Sequence, residues 1–274
     1  MIHYHGVVPQ EKYGAILLRG KHALVPFMTK KLLGYVARVC QSFCLDNSAF
    51  AYWKSGKAVE DWTPYYAWVR EWMYHPGFDW AAIPDVIDGT EDENRKLVTE
   101  WLEEFKYGPS AYSVGCPVWH MHESTSYLRH LAESFRFVAI GSSGKFKTPG
   151  TRSWHMRMNE AMKAICDKDE SGKLRPICKV HGMRMLDKDV FTKYPLASAD
   201  SVNVALRVSR STVSRRHMPP TYRAQKCLER IEPYNSAGEF NSVRSSVNHL
   251  FGRKDHESGP KRSEDISGLR QRAR

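Results

Sequence analysis

The stretch CPVWHMHESTSYLRHLAESFRFVAIGSSG, residues 116–144, decides the fold. It opens on a short apolar run, 116–122. Tyr127, Leu128, Leu131 and Phe135 then share one face at helical spacing. A second apolar run, 137–144, ends in Gly141-Ser142-Ser143-Gly144. Strand, helix and strand in such quick succession make a βα repeat, and βα repeats build parallel sheets.

The alternation extends in both directions. Apolar runs at 22–27, 42–47, 80–86, 178–185 and 196–202 join these two, and 2–8 makes an eighth. Each is short and ends in polar or Gly-rich chain, as strands buried on both faces do. Between them the period changes to helical. Thr63 reads as an N-cap with Pro64 at the first helical position, and Tyr65, Trp68, Val69 and Trp72 share a face. Thr90 and Glu93 stand at capping-box spacing, followed by Leu97, Trp101 and Phe105. Trp154, Met158, Met162 and Ile165 form another stripe. These aromatic and Met stripes read as core, not as a cofactor box.

Two parallel architectures compete. A doubly wound sheet wants a Gly-rich dinucleotide fingerprint after an early strand, and the sequence has none. A (β/α)8 TIM barrel places its chemistry at the C-terminal ends of many strands. Asp46, Asp85, His120, His122, Ser142, Ser143, His181 and Asp200 all fall there. The expected fold is therefore α/β, a (β/α)8 barrel over 1–207. A basic segment, 208–250, packs on or near it, and 251–274 reads as a polar, mobile tail.

The 274 residues are 42% hydrophobic, enough for a substantial core. No apolar run is long enough to span a membrane, and the N-terminus lacks a basic-then-apolar leader. A cytoplasmic setting with no membrane partner is expected, with the six cysteines as reduced thiols and Cys40 and Cys44 as buried small hydrophobes. The net charge is +11. Residues 1–200 hold 26 Lys+Arg against 23 Asp+Glu, whereas 201–274 hold 15 against 7. Charge gathered in one segment points to an anionic partner, with nucleic acid first.

The strand ends carry the candidate chemistry. A strand-end Asp such as Asp46 serves most often as a cap or loop anchor. Asp88 makes the turn into the capped helix, whereas Asp85 is better placed to face the mouth. His120 and His122 alternate on one strand, yet no third metal ligand stands near them in sequence, so no metal is assigned. Gly141 to Gly144 let backbone N–H groups and hydroxyls approach a flat polar ligand. His3, His5 and His181 are equally readable as mouth residues or as core histidines. Asp200 ends the last run, and basic chain follows it. Carboxylates gathered at one mouth suit chemistry at an anomeric carbon, one as nucleophile and one as acid/base, roughly 5–5.5 Å apart in retaining enzymes.

Taken in order, LDNSAF, IPDVIDG, VWHMHE, GSSG and ASADSVNVA resemble the phage-type 7-deazaguanine DNA transglycosylases (DpdA). That group is related to the queuine and archaeosine tRNA-guanine transglycosylases. The resemblance covers roughly 1–207 and implies a base exchange in DNA, a modification that evades restriction. It implies Asp200 as nucleophile and Asp46 as general acid/base. Phe50 then stacks on the base and Asp85 reads the guanine edge. Asn47, His120 and the Gly141-Ser142-Ser143-Gly144 loop complete the base pocket, with His122, His181 and Asn203 as further contacts. The basic residues Arg207, Arg210, Arg215 and Arg216 are expected to hold phosphates.

The chain also departs from the tRNA enzymes. Those carry a structural zinc held by C-x-C-x-x-C and a later His after the nucleophile. Here Cys227 alone follows Asp200, so that site cannot be built in the usual way, even with His217 nearby in sequence. No cofactor is expected; the partners are DNA and a free 7-deazaguanine base, such as 7-cyano-7-deazaguanine. Three alternatives stay open: exchange in tRNA, a base-releasing N-glycosylase or nucleoside hydrolase with water as acceptor, and a non-catalytic nucleic-acid-binding barrel.

Overall fold

A computed structural model describes residues 1–108, 110–209 and 218–243 of the chain. Eight parallel strands follow one another: β1 (Ile2–Gly6), β2 (His22–Pro26), β3 (Ser42–Asp46), β4 (Phe78–Ala82), β5, β6 (Phe137–Gly141), β7 (Lys179–Gly182) and β8 (Ser198–Ser201). β5 is broken into Gly115–Cys116 and Val118–His120. Its first half pairs with β4 and its second half with β6. The two free ends of the sheet are thus two halves of one strand, and β1 pairs with β8. The sheet closes on itself, and the fold is the expected (β/α)8 barrel. The break is at Pro117, which has no N–H for the ladder. Its carbonyl still accepts from the Ala139 amide at 2.9 Å.

Alternation along each strand makes two cores. Tyr4, Leu24, Cys44, Trp80, Ala82, Cys116, Val118 and Ala139 fill the barrel. Their neighbours face outward and pack under the helices, where the Trp, Tyr and Met stripes lie buried. At the N-terminal end of the barrel Asp79 accepts from Tyr4 Oη at 2.7 Å and from Ser42 Oγ. The chemistry-bearing ends are at the other side.

Ten helices matter to the frame: α1 (Glu11–Leu17), α2 (Leu33–Val39), α3 (Ala49–Lys54), α4 (Thr63–Trp72), α5 (Glu91–Glu104), α6 (Ala111–Val114), α7 (Thr125–Ser134), α8 (Arg152–Ile165), α9 (Lys188–Phe191) and α10 (Asn203–Ser209). The capping box at Thr90 and Glu93 forms in both directions. The start of α4 differs from expectation. Trp62 is its N-cap, and Asp61 Oδ1 accepts from the Thr63 amide at 2.8 Å, so Thr63 is already helical. An Asp two residues upstream competes successfully with the Thr hydroxyl. Beyond residue 208, α11 (Pro220–Glu229) packs Ala224 and Leu228 against Val204 and Val208 of α10 and Leu17 of α1. No helix among the described residues is long and apolar enough to cross a membrane.

Candidate active site

Asp46 closes β3 and Asp200 stands one residue before the end of β8, both on the inner face of the barrel, and each receives a backbone N–H from a strained turn. Ser48 N donates to Asp46 Oδ2 at 3.0 Å, and Arg184 N donates to Asp200 Oδ1 at 2.5 Å. Ser48 (φ 67°) and Arg184 (φ 56°) are the two non-glycine residues with positive φ among the described residues. Such a conformation costs about 1–2 kcal/mol for a residue with a Cβ. Here both strained amides aim at the two candidate catalytic carboxylates. Asp200 is also held through its carbonyl, which accepts from Leu186 N at 3.0 Å.

The charge of Asp200 acts on Asp46. Burial pushes the Asp46 carboxyl up to about 7, and the charges of Asp200 and Asp85 add to the rise. The Ser48 N–H and the Arg184 charge oppose it. The Arg184 side chain borders the mouth, where its guanidinium donates to the Ser142 carbonyl at 3.4 Å. Burial lowers its pKa, while Asp200 and Asp46 work the other way. The Arg184 Cζ stands 3.7 Å from the centre of the Phe50 ring, a close cation–π contact.

A second group forms around Asp85. Asn47 Nδ2 donates to Asp85 Oδ1 at 2.8 Å and to the Ile83 carbonyl at 2.8 Å. His120 Nε2 meets Asp85 Oδ2 at 2.9 Å. Burial works against a charged His120 ring, yet the Asp85 hydrogen bond and charge outweigh it and raise its pKa. Behind it Glu123 accepts from His120 N at 2.8 Å and from Asn94 Nδ2 at 2.7 Å. Burial raises the Glu123 carboxyl.

Next to these acids lies a cavity of about 480 Å3, lined by Phe50, Trp53, Asp88, Ser142, Ser143, Gly144 and Arg184 among others. The Phe50 and Trp53 rings lie 5.5 Å apart and tilted by 35°. Gly141 is tightly packed: a Cβ there would meet His120 Nδ1 and Val118 Cγ1 at 3.2 Å. Gly144 has φ 52°, a conformation glycine adopts without strain. The loop hydroxyls are already engaged. Ser142 Oγ accepts from Trp154 Nε1 at 2.9 Å. His122 Nε2 donates to the Gly89 carbonyl at 2.8 Å, which leaves Nδ1 to accept from Ser143 Oγ at 2.9 Å.

The structure gathers Asp46, Asn47, Phe50, Asp85, His120, Asp200 and Gly141 to Gly144 at one end of the barrel. His122 differs from expectation. β5 ends at His120, and His122 sits on the following turn, although the two rings still stack at 5.7 Å. His181 lies inside the barrel below the mouth, with Nδ1 2.9 Å from Ser198 Oγ and Nε2 3.4 Å from Asp200 Oδ1. His3 and His5 do not line the mouth. They face outward, where His5 Nε2 meets Glu232 Oε1 at 2.7 Å, because Tyr4 takes the inward position between them. Asn203 and Arg207 border a separate groove. Arg210, Arg215, Arg216 and His217 lie outside the described residues.

Sequence reading missed Arg184 and Glu123. Glu123 sits in the quoted VWHMHE motif, so a signal was available. Cys227 is half-buried against α10, and no group of three or more His, Cys, Asp or Glu able to hold a metal occurs among the described residues.

No family model matches the chain, and no curated protein matches it. Solved structures do match over most of its length. A candidate fructose-1,6-biphosphate aldolase from Coccidioides immitis superposes with a TM-score of 0.47 at 11% identity, covering 84% of this chain and 89% of that one. The tryptophan synthase α2β2 complex of Pyrococcus furiosus gives 0.47 at 10% identity, covering 85% of this chain and 98% of that one. No chemistry passes to this chain from proteins so distant.

Proposed function

We propose that the chain exchanges guanine in DNA for a 7-deazaguanine base through an aspartyl-glycosyl intermediate. The observation that carries this reading is the paired carboxylates. Asp46 and Asp200 stand at the same end of the barrel on its inner face, each anchored by a backbone N–H, and burial with the charge of Asp200 raises the Asp46 carboxyl to about 7, which suits it to carry a proton near neutral pH.

Asp200 Oδ attacks C1′ of the target nucleotide as the C1′–N9 bond breaks. The electron pair leaves with N9, which takes the proton from Asp46. The incoming deazapurine returns its N9 proton to the Asp46 carboxylate, attacks C1′ and releases Asp200. Bonds and protons balance, and the ester keeps the glycosidic free energy between the two halves. The target nucleotide must leave the stack to reach the acids. Phe50 and Trp53 offer two tilted aromatic rings beside it, and the Asp85 carboxylate, held by Asn47 and His120, offers oxygens that accept from N1–H and N2–H.

The test is incorporation of a labelled 7-deazaguanine base into guanine-containing DNA. The parent chain incorporates label, and Asp200→Asn incorporates none. Label entering at the parental rate with Asp200→Asn contradicts the assignment. Abasic sites that form equally with and without free base support hydrolysis instead.

A further inference from the structure

A second cavity, of about 430 Å3, lies where the chain after β7 meets α10 and α11. Its lining includes Lys188, Arg207, Arg223, Lys226 and Arg230, with the half-exposed ring of Tyr222. Against these cations stands one acid in the lining, Asp187, and its carboxylate accepts from the Asp189 amide at 3.0 Å. The cations are not equivalent. The Arg223 guanidinium is spent on the end of α10, donating to the carbonyls of Arg207 at 3.1 Å, Met218 at 2.5 Å and Val208 at 3.3 Å. Lys226 pairs with Glu229 at 2.7 Å. Lys188, Arg207 and Arg230 are exposed, and none pairs with a carboxylate among the described residues.

Both walls are tied to the strand end that carries Asp200. Leu186, which lines the groove, donates its N–H to the Asp200 carbonyl at 3.0 Å. Asn203, which also lines it, donates its N–H to Ser201 Oγ at 3.1 Å. A chain of anions leaving the acid cluster on this side meets three cations that have no carboxylate partner among the described residues, and one aromatic face. Clustered cations with an aromatic platform are how proteins hold a nucleic-acid strand without reading its sequence.

We propose that this groove takes the DNA strand on one side of the target nucleotide. Lys188, Arg207 and Arg230 meet its phosphates, and Tyr222 stacks on a base. This rests on the reading of DNA as substrate but adds a binding surface that the acid cluster does not require.

The test is fluorescence anisotropy of the full chain with a labelled single-stranded oligonucleotide of mixed sequence, titrated at several salt concentrations. Lys188→Glu with Arg230→Glu is expected to weaken binding by about tenfold or more and to flatten the salt dependence by at least one phosphate's share. Tyr222→Ala is expected to weaken it by about tenfold with the salt dependence unchanged. Lys96→Glu with Lys163→Glu, the same charge change on α5 and α8, stays within twofold of the parent. Groove and control variants that lose equally, or a groove variant within twofold of the parent, overturn the proposal. Base exchange by the parent separates the two claims: loss of binding in the groove variant without any base exchange by the parent keeps the groove and removes the chemistry.

Discussion

Replacing Asp46 by Asn removes an ionisation that the folded chain opposes. The carboxyl rises from an ordinary 3.8 to about 7 because it is buried beside Asp200 and Asp85. Between those values the folded chain keeps a proton that the unfolded chain has lost. Stability therefore falls as pH rises from about 4 to about 7, then stays level. At 1.36 kcal/mol for each tenfold change, the full effect is ~4 kcal/mol. Discounting it by half for solvent reaching the partly buried side chain leaves ~2 kcal/mol. Asn keeps the shape and an oxygen that can accept from Ser48 N, so the variant loses the charge and little else. Its expected melting temperature at pH 8 is about 4–8 °C above the parent's, since ~1 kcal/mol moves a domain of this size by 2–4 °C. At pH 4 the two melt together. Calorimetry of both chains at the two pH values measures the difference directly. Equal melting at pH 8, or a less stable variant there, refutes the account of Asp46, whatever the activity of the protein.

Two further outcomes follow from the same geometry. Arg184→Ala keeps a Cβ in the left-handed turn but removes the charge that holds Asp46 down, so the fall in exchange rate with rising pH moves to higher pH. The rate at pH 7 drops about tenfold as the cation facing the two acids is lost, and a pH–rate profile reads both effects. Tyr65→Phe leaves the Ala82 carbonyl without the buried 2.7 Å bond it accepts from Tyr65 Oη. This costs about 1–3 kcal/mol in urea unfolding and loosens the β4 end from which the chain runs on to Asp85.

The barrel was legible because its signal is local. Each βα repeat announces itself within a few residues, as 116–144 does, and eight repeats leave few ways to close a sheet. The inner rim was legible for Asp46, Asp85 and Asp200, since polar residues that end apolar strands have little else to do than cap or face the mouth. The limits were physical. On a strand buried on both faces, periodicity separates the faces but does not say which is inside. His3 and His5 were therefore readable either as mouth residues or as core, and the barrel took Tyr4 inward, where it reaches Asp79 and meets Trp80 edge-on. The break at Pro117 was invisible because both halves of β5 carry the same apolar pattern. Arg184 was missed for a different reason. Its role depends on a left-handed turn after β7 that closes on the neighbouring β8, and no spacing in HGMRM encodes that contact. His122 was assigned to the strand because alternation continues past His120, whereas the ladder ends there with Met121 N donating to the Gly141 carbonyl.

The central claim is that Asp200 forms a bond to the sugar while Asp46 handles the proton. Incubating the parent chain with guanine-containing DNA and no acceptor base, then denaturing and digesting it, measures this most directly. A sugar-linked peptide containing Asp200, absent from Asp200→Asn and discharged when a 7-deazaguanine base is added, is the expected result. Base exchange by the parent with no adduct on Asp200 at any time, or an adduct on another residue, contradicts it.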